Sequence, residues 1–117
     1  MSNGLTEYEP LFSYGLLQNR ETQRELFGRE LTGAADALVG FTTEPIELTE
    51  PDGRKWTHRI AVRGAAEDRI AGTALILTKD ELAAADRYEE PYPSYRRVSV
   101  RLASGQVAWA YVHRDKH

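Results

Sequence analysis

The chain has 117 residues, contains no cysteine and carries a formal net charge of −3 at pH 7. This length suits one domain with a single core, and the lack of cysteine excludes a disulfide scaffold, a thiol nucleophile and a thiolate metal site. The acidic balance argues against a nucleic-acid partner, and no apolar run approaches the ~20 residues that span a bilayer. Because the N-terminus is polar and acidic, unlike a signal peptide, we expect a cytoplasmic protein that does not enter membranes.

The first half of the chain begins with a strand and a short helix. Residues 1–9 are predicted to form a flexible leader, and the apolar segment 11–14 is predicted to be a strand that ends at Gly15. Asn19 is suited to cap a helix over residues 20–27, which a glycine follows. Further strands are predicted over residues 37–41, 45–48 and 56–62, with a turn at 51–53.

The second half contains the clearest helix signal. Residues 70–77 are a nearly continuous apolar run, which suits a strand covered on both faces. Thr78 and Glu81 form a capping box in front of a helix that runs from Lys79 to about Tyr88. A C-terminal hairpin follows, with an alternating strand over 98–102, a turn at 103–105 and a second strand over 107–112.

The order of these elements predicts an α+β fold. It runs strand, helix, three or four strands, helix and two strands, which suits a sheet curled around one core with two flanking helices. We expect a single domain over residues 10–113 and a polar tail over 114–117.

Glu89 is the first candidate for chemistry. If Leu82 is the centre of the buried face of the second helix, Glu89 lies about 20° from it at 100° per residue. A glutamate on an apolar face is desolvated, which raises its pKa and suits a general base. The alternative is a helix that frays there, with Glu89 in solvent.

The end of the first strand is the second candidate. A strand-to-helix turn at Gly15 can direct backbone N–H groups towards an anion. One glycine is too few for a phosphate-binding fingerprint. An ordinary tight turn is therefore the alternative.

These segments carry a resemblance that spans residues 10–113. Residues 11–17 are similar to a strand followed by Tyr-Gly-x-Leu, and residues 85–89 to Leu-Asp-x-Tyr/Phe-Glu. Tyr95 and Arg97 match a Tyr-x-Arg that precedes an alternating strand. In this order and spacing, the motifs resemble the γ-glutamylcyclotransferase-like family, which includes the plant avirulence-induced proteins and the γ-glutamylamine cyclotransferases. Smaller matches lie at Leu26-Phe27-Gly28-Arg29, Gly72, Gly105 and Tyr111.

The resemblance implies a fold and a reaction. The family fold is a small mixed, barrel-like sheet with flanking helices. Its members cleave γ-glutamyl amides without a cofactor, because the α-amine of the substrate attacks its own γ-carbonyl and releases 5-oxoproline. The expected partner is thus a small γ-glutamyl amine or peptide, and the protein is expected to be a monomer or a homodimer. The rival hypothesis is a binding module of the same fold that holds a small molecule or a peptide end without turnover.

The resemblance also implies roles for individual residues. Glu89 corresponds to the catalytic acid/base, and the backbone N–H groups of Gly15, Leu16 and Leu17 to the loop that binds the glutamyl head. The remaining substrate-binding candidates are Tyr14 and Tyr95, as pocket walls or hydrogen-bond donors, and Arg97, for which a solvated position on the sheet is the alternative.

The chain departs from the family pattern at two places. Leu16 stands where members usually have serine or threonine, so its side chain is expected to narrow the pocket. Glu90 and Pro91 follow Glu89, where a glycine is common. Helical phase favours Glu89 over Glu90 as the acid/base, and both departures bear on the substrate more than on the fold.

The remaining polar and aromatic candidates favour structural roles. His113 and His117 have ligand spacing, but a polar chain end favours a tail over a metal site. Asp86 is expected to bond to the backbone or to an arginine. Packing is expected for His58, Trp56 and Trp109.

Overall fold

The structure, a computed structural model, describes residues 8–117, and this part of the chain forms two helices and seven strands. A short 3₁₀ turn, Leu16–Gln18, precedes the first helix. In chain order the elements are β1 (Tyr8–Ser13), α1 (Arg20–Phe27), β2 (Gly33–Val39), β3 (Phe41–Thr49), β4 (Lys55–Arg63), β5 (Arg69–Thr78), α2 (Lys79–Glu89), β6 (Tyr95–Arg101) and β7 (Val107–His113).

The strands form one mixed sheet and one ribbon. The sheet has the order β2-β5-β1-β7-β6, and β3 pairs with β4 in a two-stranded ribbon. The central strand β1 is antiparallel to β5 and parallel to β7. The α+β prediction is confirmed. Within residues 8–117 the sheet is not closed into a barrel, because its two edges are joined only by an isolated bridge between Leu38 of β2 and Leu102, the residue after β6.

Two strand predictions need correction. The strand predicted over 37–41 was wrong, because Gly40 turns the chain with a φ of 83° and separates β2 from β3. Left-handed φ values favour glycine, so the turn interrupts an apolar run that reads as continuous. Tyr8 and Glu9 were assigned to the leader but belong to β1, where they pair with Thr78 and Leu77. The rest of the leader, residues 1–7, lies outside the described residues.

The polar tail bonds to the β3–β4 ribbon. The Arg63 N–H donates to the carbonyl of Lys116, and the Lys116 ammonium pairs with Glu44. Residues 114–117 are exposed but remain against the domain.

The core has two parts, one on each face of the sheet, and β1 contributes to both. Phe12 packs with Leu38, Val112 and their neighbours, whereas Leu11 packs with Leu77 beneath α2. This alternation is the period of two that a strand imposes. Burying each large apolar side chain contributes roughly 1.5–3 kcal/mol, so the two faces hold β1, and the chain that follows it, in a fixed position.

α2 begins at the predicted capping box. The Glu81 N–H donates to Thr78 Oγ1 at 3.1 Å, and the Thr78 N–H donates to the Glu81 carboxylate at 2.9 Å. Arg29 pairs with the same carboxylate and holds the pKa of Glu81 below its usual value. The box thus fixes where α2 starts, and the helix then carries its last residue, Glu89, to the next site.

Removal of the cap hydroxyl should weaken the fold. We expect Thr78→Ala to lower the free energy of unfolding by about 1 kcal/mol, because the Glu81 N–H loses its acceptor. Thr57→Ala, at an exposed position of β4, is the matched control and should change stability little. Urea unfolding of both variants measures the difference. Equal losses would show that the box does not stabilise α2.

Candidate functional site

A cavity of about 380 Å³ lies between the ribbon and the rest of the domain. One wall is formed by the end of β1, the turn after it and the end of α2. The other wall is the end of the β3–β4 ribbon. Its lining includes six of the predicted residues, namely Tyr14, Gly15, Leu16, Leu17, Glu89 and, from the start of β6, Tyr95.

Glu89 is half-buried at the end of α2 and lines this cavity. The helical phase that placed it there is seen in Leu82 and Ala85, which are buried on the same side. Its side chain forms no hydrogen bond or ion pair with the described residues. Desolvation alone raises the pKa of Glu89 to about 7 from an ordinary 4.5. At neutral pH the carboxyl group is therefore able both to accept and to donate a proton.

The neighbouring residue, Glu90, is placed differently. It caps the C-terminus of α2, is exposed and does not line the cavity of about 380 Å³, although it borders a second cavity together with Glu89. The tight turn after α2, in which the Tyr92 N–H donates to the Glu89 carbonyl at 2.9 Å, leads the chain back towards the cavity. Of the two adjacent glutamates, the structure thus brings Glu89 to the site.

Tyrosine side chains surround Glu89. Burial, with the nearby Glu89 charge, raises the pKa of Tyr95 to about 12. Burial raises the pKa of Tyr14 and of Tyr111 still further. The hydroxyl group of each of these three tyrosines therefore stays protonated at neutral pH. The Tyr95 hydroxyl has no partner among the described residues and is available as a donor.

The hydroxyl of Tyr14 is used within the fold. It donates to the Tyr111 carbonyl at 2.6 Å and accepts from the Ala61 N–H at 3.0 Å. This one group therefore joins the turn after β1 to β7 and to the ribbon strand β4. Tyr14 lines the cavity, while its proton is engaged by the backbone.

The turn after β1 presents backbone N–H groups. The Gly15 N–H donates to Ser13 Oγ at 3.3 Å. The N–H groups of Leu16 and Leu17 begin the 3₁₀ turn, where no carbonyl of the same turn is in reach. The Leu17 side chain is buried, whereas Leu16 is 48% exposed at the cavity. The N–H groups of Leu16 and Leu17 thus have no acceptor within the turn, and they lie next to the exposed Leu16 side chain.

Gln23, which sequence reasoning missed, holds this turn in place. Its side chain is 3% exposed on the inner face of α1. Its amide nitrogen donates to the Leu17 carbonyl at 2.7 Å, and its amide oxygen accepts from the Leu31 N–H at 2.8 Å. The sequence signal that could have identified Gln23 is its position, since it is a polar residue on the apolar side of a short helix.

Arg97 is not brought to this cavity. Its guanidinium pairs with Asp86 at 3.0 Å and lies over the Trp109 ring at 4.3 Å. The Tyr111 hydroxyl also donates to Asp86, at 2.7 Å. Asp86 therefore bonds to an arginine, as expected, and Arg97 lines the second cavity, on which Glu89 and Tyr95 also lie.

The ribbon wall contains residues that the sequence did not single out for the site. Trp56 and His58 lie edge to face with ring centroids 5.0 Å apart, and both line the cavity. Glu50 accepts from the Tyr92 hydroxyl at 2.8 Å, which links the ribbon to the segment after α2. Alternation along β4 places Trp56 and His58 on one face, but only the tertiary structure shows that this face meets Glu89.

Residues 8–117 contain no cluster of three or more histidine, aspartate or glutamate side chains that could hold a metal ion. No helix within the same range is long and apolar enough to cross a membrane.

The chain matches a known protein family over most of its length. The family model described as gamma-glutamyl cyclotransferase, AIG2-like matches residues 11–117. The chain belongs to this family. A search of the curated proteins finds no match.

Solved structures show the same fold at low sequence identity. Two Arabidopsis thaliana proteins, both solution structures, superpose with TM-scores of 0.73 and 0.72 at 16% and 21% identity. The match covers 99% of this chain and 68% and 74% of theirs. A structure titled gamma-glutamyl cyclotransferase gives a TM-score of 0.74 at 15% identity, over 95% of this chain and 69% of its own. Identities this low establish the fold of the family and leave the substrate to be argued from the site.

Proposed function

We propose that the protein is a γ-glutamylcyclotransferase-like enzyme that acts on a small γ-glutamyl peptide or amine and releases 5-oxoproline. The observation that carries the proposal is the Glu89 carboxyl, which is desolvated, unpaired and half-buried in a cavity of substrate size. An unpaired buried carboxyl is unfavourable for folding, so its presence on the wall of a cavity favours a role in chemistry.

The reaction requires a base, donors for oxygen and a confined substrate. The α-nitrogen of the substrate forms a bond to its own γ-carbonyl carbon, and the bond from that carbon to the leaving nitrogen breaks. Glu89 accepts a proton from the α-ammonium group and passes it to the leaving nitrogen. Both protons that the α-nitrogen loses end on the released amine, so Glu89 regains its starting state.

The cavity offers donors for the negative charge that develops on the carbonyl oxygen. The Leu16 and Leu17 N–H groups lack acceptors within their turn, and the Tyr95 hydroxyl is unpaired within residues 8–117. Such fixed donors stabilise an oxyanion because they need no reorganisation during the reaction. The walls also hold the substrate folded, which favours internal attack.

A product assay tests the function directly. The purified protein is incubated with a panel of γ-glutamyl dipeptides and γ-glutamyl amines, and 5-oxoproline is measured. The matched controls are the α-glutamyl isomers, which have the same composition but no γ-amide for the α-amine to attack. We expect product from γ-glutamyl compounds only. No product from any of them, with thermal stabilisation by the same compounds, would instead support the binding module.

Leu16 is the residue that favours the binding module, and it provides a further prediction. Its exposed side chain lines the cavity, and the family resemblance implies a serine or threonine at this position. We expect Leu16→Ser to raise kcat/KM for γ-glutamyl-alanine by roughly tenfold, since removing a few methyl groups from a pocket has an effect of that size. Val107→Ser, an exposed apolar position away from the cavity, is the control. No change in Leu16→Ser would show that this side chain does not restrict the substrate.

A further inference from the structure

Tyrosine hydroxyl groups lie around Glu89, yet none of them bonds to its carboxyl group. The tyrosines that line the cavity of about 380 Å³ with Glu89 are Tyr14, Tyr88, Tyr92, Tyr95 and Tyr111. A hydroxyl that donates to a carboxylate stabilises the charged form of that carboxylate. Three of these hydroxyls have acceptors elsewhere, because Tyr14 donates to a backbone carbonyl, Tyr92 to Glu50 and Tyr111 to Asp86. The acceptors around the site therefore influence whether Glu89 is paired.

Among these acceptors, Asp86 competes most directly with Glu89. The two residues are three positions apart on α2, so their side chains are neighbours on one face of the helix. The Tyr111 hydroxyl donates to Asp86 at 2.7 Å. All three side chains border the second cavity, and the charge of Glu89 contributes to the raised pKa of Tyr111. The Tyr111 hydroxyl is thus close to two neighbouring carboxyl groups and bonds to one of them.

Asp86 is itself held in place by Arg97. The Arg97 Nε pairs with the Asp86 carboxylate at 3.0 Å, and the guanidinium lies over the Trp109 ring at 4.3 Å. The Tyr111 side chain is 8% exposed, so its hydroxyl requires an acceptor within the fold. If Asp86 were absent, the carboxyl group of Glu89 would be the neighbouring acceptor on the same helical face.

Other charged and titratable groups border the two cavities. On the ribbon side these groups are Glu50, Arg54, His58 and Arg59. Around the second cavity, besides Asp86 and Arg97, they are Arg87, Glu90, Arg96, Arg114 and Asp115. None of them bonds to Glu89 within residues 8–117, and desolvation alone raises the pKa of Glu89. A new hydrogen bond to Glu89 would therefore act directly on this pKa.

We propose that Asp86 is a positioning residue, which keeps the Tyr111 hydroxyl bonded to itself and so leaves the Glu89 carboxyl group unpaired. This inference rests on the proposed function, in which an unpaired Glu89 exchanges protons with the substrate. A Glu89 carboxylate that accepted the Tyr111 hydroxyl would be a weaker base, because the hydrogen bond stabilises its charged form. Asp86 thus acts on the reaction through Glu89 and does not touch the substrate.

Loss of the Asp86 acceptor should lower the pKa of Glu89. We expect Asp86→Ala to lower it by about one pH unit, because the Tyr111 hydroxyl then donates to Glu89. The measurement is an NMR titration of the Glu89 carboxyl carbon in protein made with isotope-labelled glutamate, and the Glu89 signal is assigned by its absence in Glu89→Gln. Asp80→Ala removes an exposed carboxylate from the start of α2 and is the matched control. An unchanged pKa of Glu89 in Asp86→Ala would overturn the inference.

Two further variants separate the hydrogen bond from the charge of Asp86. Asp86→Asn keeps an oxygen that can accept from Tyr111, so the pKa of Glu89 should stay near its wild-type value. Tyr111→Phe removes the hydroxyl, so Asp86→Ala should no longer lower the pKa of Glu89 in that background. A fall of the same size in Asp86→Asn, or a fall that persists without the hydroxyl, would also overturn the inference. Asp86→Ser, whose side chain is too short to reach Tyr111, repeats the test if the alanine variant does not fold.

The pH profile of activity provides a second measurement. A general base must be unprotonated, so kcat/KM rises with pH through the pKa of Glu89. In Asp86→Ala we expect this rise to move to lower pH by the same amount as the NMR titration. A merely structural role for Asp86 would lower kcat/KM at every pH and leave the profile in place. Because the NMR titration needs no turnover, absence of 5-oxoproline counts against the proposed function only, and an unmoved pKa against this inference only.

Discussion

Glu89→Gln will lower kcat by roughly 10²–10⁴-fold, the usual contribution of a positioned acid/base, and will leave the fold intact. Glutamine keeps the size of the side chain but cannot accept the proton of the α-ammonium group. Release of 5-oxoproline from γ-glutamyl dipeptides measures the loss, and circular dichroism checks the fold. Glu90→Gln, the adjacent exposed position, is the matched control and should retain activity. Loss of activity in Glu90→Gln, with activity kept in Glu89→Gln, would reverse the assignment.

The same variant should have a distinctive effect on stability. The pKa of Glu89 is about 7 in the folded protein and 4.5 without the fold, so the folded state holds this proton more tightly. Binding of this proton contributes fully to the free energy of unfolding below pH 4.5, and the contribution is lost as the pH rises through 7. Glu89→Gln removes this dependence, and we therefore expect it to gain stability relative to wild type between pH 4.5 and pH 8. Urea unfolding at pH 4.5 and at pH 8 measures the gain. If the variant instead loses the same free energy of unfolding at both pH values, Glu89 has a structural role.

Gly72→Ala should destabilise the protein strongly. A Cβ at this position of β5 would lie 2.4 Å from the Ser13 carbonyl oxygen and 2.6 Å from the Phe12 ring. Because both atoms belong to the central strand, neither can move freely, and overpacking of this kind costs about 1–3 kcal/mol or more. For a domain of this size, each kcal/mol lowers Tm by roughly 4–8 °C.

Gly15→Ala is the control for this substitution. A Cβ there meets no atom within 4 Å, and the backbone is not in the left-handed region, so stability should change little. Thermal unfolding of the two variants compares the same added methyl group in crowded and in open space. Similar Tm values would show that β5 can shift away from β1 without cost.

Local patterns predicted the helices and the placement of Glu89. Asn19 caps α1, Gly28 ends it in the left-handed region, and the capping box starts α2. These signals act within a few residues, as does the helical phase that brings Glu89 to the buried side. The same signals cannot state which strand pairs with which.

The ribbon wall was beyond such patterns. Trp56 and Tyr92 line the same cavity because the end of the ribbon is linked to the segment after α2 by the Tyr92–Glu50 hydrogen bond, an arrangement that no local spacing encodes. The family resemblance implied Tyr14 and Tyr95 as pocket walls or hydrogen-bond donors, and both residues line the cavity. It could not indicate that the Tyr14 hydroxyl is engaged by backbone groups of β4 and β7, since those contacts form only in the folded chain.

The hydrogen bond from Tyr14 to Tyr111 also has a consequence for folding kinetics. It joins residues 97 positions apart, at the cavity and beside the central strand. Closing so long a loop costs entropy before any contact is gained, and folds dominated by non-local pairs form slowly. During synthesis, β1 must wait for β7 to emerge before this contact can form. The cavity is therefore among the last features to mature, and a nascent chain without β7 should be able to form α1 and α2 but not the cavity.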